Sequence, residues 1–168
     1  MSLFAPLQTG CLITFALLLL VAAWQDLRTM HIADAVSLAV AAAFAVWTLC
    51  GLALGTMSFT TVGLALACSA VVFGAGAAAF AAGALGGGDV KLLAAASLFA
   101  GLGLISDFLL VTALVGGALG GAVLVGAPIG LPAPAADATV RTRLRRGLPY
   151  GPAIAAGGLW VAASLAHQ

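Results

Sequence analysis

The sequence predicts an all-α, polytopic membrane protein: six transmembrane helices forming one domain over residues 1–168, with both termini on the non-cytoplasmic side. Three observations lead there. Hydrophobic residues make up 64% of the chain and charged residues only 7%, whereas a soluble domain carries about 25% charge. The apolar runs are continuous and rich in Ala, Leu and Val, without the alternation and turn signals of a β-barrel. The few basic residues also sort onto one face once the spans are counted.

A helix needs about 20 apolar residues to cross the hydrocarbon core. On that ruler the spans fall at about 6–24, 35–54, 60–82, 90–104, 107–127 and 150–166. The fourth is the shortest. The breaks carry Gly, Pro or charge: Asp26 to Asp34, Gly51 to Ser58, Gly83 to Asp89, Gly103 to Asp107, and Pro128 to Pro149. The first run, Pro6 to Trp24, has no basic residue before Arg28 and no A-x-A-like site, so it reads as a retained span and not as a cleaved signal. In the fifth, Gly116/Gly120 and Gly117/Gly121 have the spacing of close helix packing.

With six spans, Arg28, Lys91, Arg141, Arg143, Arg145 and Arg146 share one face, which the positive-inside rule makes cytoplasmic. Asp26, Asp34 and Asp89 lie at that face too. Asp137 falls in the cytoplasmic loop, and Asp107 is a solvated helix-boundary residue at the opposite end. A net charge of +1 gives no basic surface for nucleic acid, and membrane lipid is the expected surrounding. Lys91 is expected to snorkel to headgroups, and the four arginines from Arg141 to Arg146 to meet anionic lipid. Cys11, Cys50 and Cys68 sit in apolar runs without a C-x-x-C pair and read as small buried hydrophobes. No metal site or cofactor is expected.

An ionisable group is costly in such a chain and marks a candidate functional site. Asp89 follows the run Gly86-Gly87-Gly88, whose backbone can leave helical geometry and leave room for a substrate's backbone. Asp26 and Asp89 are 63 residues apart but close the same end of the bundle. Two carboxylates brought within ~3–5 Å share a proton, one acting as base on a water while the other polarises a carbonyl. Spacing alone leaves a second reading open, in which Asp89 merely caps its helix and Arg28 only sets topology. Ser-His-Asp chemistry fits less well, because His31 and His167 fall on opposite faces.

Gly86-Gly87-Gly88-Asp89-Val90-Lys91-Leu92 resembles the G-x-G-D signature of intramembrane aspartic proteases, and its continuation that of the type IV prepilin peptidases. Asp26-Leu27-Arg28, with Ile32 six positions after Asp26, resembles that family's first catalytic motif, Asp-x-Arg followed by Ile-Pro-Asn. Leu148-Pro149-Tyr150-Gly151-Pro152-Ala153-Ile154 resembles its C-terminal Pro-[Tyr/Phe]-Gly-Pro segment. The chain resembles the short CpaA/TadV type used by tight-adherence (Flp) pilus systems. It lacks the insertion with paired C-x-x-C motifs that longer, methylating relatives carry. One departure stands out: Ala33-Asp34 replaces Pro-Asn. Without the proline, span two should start earlier and less abruptly. A continuous helix would then put Asp34 one or two turns from Asp26 as a third carboxylate.

The resemblance implies a multi-pass peptidase of the bacterial inner membrane with its active site facing the cytoplasm. It implies Asp26 and Asp89 as the catalytic pair. Gly86, Gly88, Lys91, Asp34 and Arg28, which lie near them in the sequence pattern, are the expected supporting or substrate-binding residues. The implied substrates are prepilins and pseudopilins, which carry a short basic leader, a Gly before the cleaved bond and then an apolar helix. A pilus or secretion assembly apparatus is the implied partner, and N-methylation is not implied. The rival is a small transporter or channel subunit using the two aspartates as proton or cation sites. It fits less well with acids at one interface and no inverted repeat.

Overall fold

A computed structural model describes residues 4–125 and 148–167, and these are helical throughout apart from short links. Five helices follow in order: α1 (Phe4–Thr29), α2 (Asp34–Leu54), α3 (Phe59–Ala81), α4 (Gly87–Leu124) and α5 (Gly151–Ala166). The first four are each long and apolar enough to cross a membrane, and α5 is a shorter apolar helix. Asp137 and the cluster from Arg141 to Arg146 lie outside the described residues.

Local chemistry sets the ends of these helices. Gly55, at φ 70, closes α2 with its amide on the Gly51 and Leu52 carbonyls, as a left-handed glycine cap does. Ser58 opens α3 by accepting from the Thr61 amide at 3.1 Å, a side-chain N-cap.

The fourth and fifth expected spans are joined in α4, whose 38 residues would run ~57 Å if straight, nearly twice the hydrocarbon core. It is not straight. Gly101 has φ 51 and ψ −163, a backbone conformation open only to glycine. One cleft is lined by both Asp89 and Leu124, which a straight helix would hold ~50 Å apart. The two limbs, 87–100 and 102–124, therefore fold back on each other. The break expected between Gly103 and Asp107 sits earlier, at Gly101, because a positive φ is needed there. Asp107 is exposed but lies inside the second limb and not at a helix boundary.

The first limb is the centre of the bundle. Leu92, Ala96, Ser97 and Phe99 are each at most 2% exposed, and α4 packs against α2, α3 and α5 while α1 packs against α2 and α5. Phe99 stacks on Phe15 at 4.1 Å between centroids and meets Phe44 edge-on at 5.4 Å. Such aromatic pairs contribute ~0.5–1.5 kcal/mol each beyond their burial. The outer faces are apolar as well: Trp24, Leu38, Phe59, Val71 and Leu102 are all more than half exposed. A surface of this kind suits lipid. Cys11 and Cys50 are buried, Cys68 is half-buried, and all three are free thiols.

Candidate active site

Asp26 occupies the last turn of α1, and three further features of the chain converge on it. The helix closes at Met30, whose amide donates to the Asp26 carbonyl at 2.8 Å and whose φ is 52. The link 30–33 is ordered by Thr29 Oγ1 on the Gln25 and His31 carbonyls, and by the Ala33 amide on Gln25 Oε1. Within that link Ile32 is 2% exposed and lies against Gly88. A methyl group on Gly88 would come 3.1 Å from the Ile32 carbonyl oxygen and 3.2 Å from its Cβ. A bare Gly88 thus lets the α1–α2 link rest on the first turn of α4, which brings Asp26 towards Asp89.

Both carboxyl groups are buried, Asp26 at 4% and Asp89 at 8% exposure, and Tyr150, next to the Gly151 that bonds Asp26, lines one cleft with Asp89. Each is held by a backbone amide at a helix N-terminus. Asp26 Oδ2 accepts from Gly151 N–H at 2.6 Å, at the first residue of α5. Asp89 Oδ2 accepts from Gly86 N–H at 3.1 Å, at the start of α4. Two helix N-termini therefore point their partial positive charge at one acidic pair, which offsets part of the repulsion between the carboxylates. Asp89 Oδ1 is buried and has no hydrogen-bond partner among the described residues. A buried acceptor in that state is ready for a water or a substrate N–H.

The capping reading of Asp89 is thus part of the structure, and it is compatible with a pairing of the two acids. The glycines expected to leave room for substrate serve the chain itself: Gly88 admits Ile32, and Gly86 faces Asp89 Oδ2. Asp34 does not continue a helix from α1, because the link 30–33 is non-helical. Ala33 there is extended at φ −66 and ψ 134, an angle like the one a proline would impose. The chain break stays abrupt without the proline, and α2 begins one residue earlier than expected. Asp34 points outward and pairs with Lys91 Nζ at 2.7 Å, with the two side chains 71% and 49% exposed. Lys91 therefore holds an ion pair across α2 and α4. Arg28 lies over the Trp24 ring at 4.3 Å, a cation–π contact on the outer face of α1. Among the described residues no group of three or more His, Cys or Asp side chains could hold a metal ion.

Sequence reasoning did not single out Gly151. Its amide fixes Asp26, and a Cβ there would sit 2.7 Å from the Asp26 Cβ. The signal was available in the glycine set between Pro149 and Pro152.

A model of the type IV leader peptidase family matches residues 13–121, a stretch that includes both aspartates and stops short of Gly151. The chain belongs to the type IV leader peptidase family. It is thus a membrane protein of a peptidase family. No curated protein and no solved structure matches the chain.

Proposed function

We propose that the chain is an intramembrane aspartic endopeptidase that removes the short cytoplasmic leader of prepilins and pseudopilins of the Flp type, cutting after a Gly. The observation that carries this reading is the convergence of Asp26 and Asp89 on one end of the bundle, both buried and each oriented by a backbone amide at a helix N-terminus. The pair holds one proton between them. The ionised carboxylate takes a proton from a water, and the hydroxyl oxygen attacks the carbonyl carbon of the Gly. The protonated carboxyl donates to the carbonyl oxygen as charge develops on it. Collapse of the tetrahedral intermediate breaks the C–N bond, and a proton passes to the leaving amine. The leader departs with a new carboxylate and the pilin keeps a new α-amino group.

The site faces the cytoplasm in this reading. Arg28 and Lys91 lie at the same end of the helices as the acids, and positive residues favour that side. The α4 hairpin then crosses twice and α5 once, giving six spans in the bacterial inner membrane. A pilus or secretion assembly apparatus would receive the product. The test is mass spectrometry of a co-expressed small prepilin. The expected product begins at the residue after the Gly and carries no N-methyl group. A prepilin that keeps its leader beside a well-expressed peptidase refutes the reading.

A further inference from the structure

The two glycine pairs of the second limb of α4 do different things. A Cβ on Gly116 would touch Ala153 and the Tyr150 ring, and one on Gly120 would touch Leu148. That pair packs inward on α5 and on the segment leading into it. Gly117 and Gly121, one turn apart, would project a Cβ into space with nothing within 4 Å among the described residues. They line a cleft of about 650 Å³ whose other walls include Leu85, Leu93, Leu109 and Leu124. Its one charged side chain is Asp89, which is 8% exposed and whose Oδ1 has no partner among the described residues. From Leu109 to Leu124 the wall runs ~22 Å, about four helical turns.

We propose that this cleft receives the apolar helix that follows the cleaved bond of the substrate, with Gly117 and Gly121 as its contact floor. The proposal rests on the peptidase reading and adds the surface that selects the substrate. The occupant follows from the walls. Apart from Asp89, Thr112 and Tyr150 they are apolar, and they leave no backbone at the floor screened by a side chain, which is how helices approach closely within a membrane. The cleft also borders the reactive carboxylate, so a chain lying in it has its preceding residues at Asp89. Beyond Asp89 at one end, a charged or extended polar ligand would find no counter-charge along these walls.

The experiment compares two substrates in liposomes, one with leader, Gly and a 20-residue apolar helix, the other cut short before that helix. Replacing both glycines (Gly117→Leu with Gly121→Leu) fills the floor of the cleft from positions where an added Cβ meets nothing within 4 Å among the described residues. It should lower the preference for the helix-bearing substrate about tenfold through KM, the scale of an overpacked contact. Gly74→Leu in α3, also in open space among the described residues, should keep the wild-type preference. A photo-crosslinking residue at position 121 should capture the substrate helix. The proposal falls if the preference is unchanged in the double variant. It also falls if the crosslinker captures lipid, a second copy, or another part of the same chain in the presence of substrate. Wild-type protein that cleaves neither substrate refutes the peptidase reading itself, and this proposal with it.

Discussion

Asp26 and Asp89 end in similar surroundings, yet they are held by opposite means. Asp89 is fixed locally, through an amide three residues away at the start of its own helix. Asp26 is fixed from a distance, by an amide 125 residues further along the chain. The geometry of one acid is written into a short motif, while that of the other exists only once α5 has docked. Both partners are glycines in which an added Cβ would come 2.7 Å from the aspartate, but the atom met differs. At Gly86 it is Asp89 Oδ2, a terminal oxygen that can rotate away. At Gly151 it is the Asp26 Cβ, which can move only with its helix.

That difference orders the expected effects of mutation. Gly151→Ala should be the most damaging, since relieving the clash must displace α1 or α5. Misplacing a catalytic group by ~1 Å costs about 100-fold, and kcat on a purified prepilin reads it. Gly86→Ala should act less, about tenfold on kcat, because the Asp89 carboxyl turns away while the fold stays. An equal loss in the two variants would mean that Asp26 and Asp89 are held with the same stiffness. Smallest of all, Asp34→Asn should change activity by less than about threefold and stability by under ~1 kcal/mol, because its ion pair with Lys91 is exposed. Complete loss in Asp34→Asn would make Asp34 a member of the reacting group, and the comparison would then concern three acids.

The split also explains what the sequence revealed. Hydropathy located the helices to within a few residues at most ends, because continuous apolar runs mark spans directly. It placed the turn within α4 slightly late, at Gly103 to Asp107 and not at Gly101, since one glycine among the many in α4 carries no visible mark of a positive φ. It also treated Asp107 as a boundary, because a charge in an apolar run looks like an end. Asp89 was legible from its own glycines, and its capping bond follows from local spacing. Asp26 was legible as an acid at the end of a span, but its partner was not, because contacts between residues 125 apart leave no periodic trace. The pairing of Lys91 with Asp34 was missed for the same reason: it joins two helices through side chains that each look solvated in sequence.

The central claim is that the two buried acids react as one unit. Asn at either position retains an oxygen to accept from the Gly151 or Gly86 amide, so Asp26→Asn and Asp89→Asn test the chemistry while the fold is kept. The measurement is the gel shift of a prepilin co-expressed with each variant, with membrane insertion of the variant followed in parallel. The expected result is full-length prepilin in both cases, with each variant inserted at the wild-type level. Normal leader removal by either variant would contradict the claim.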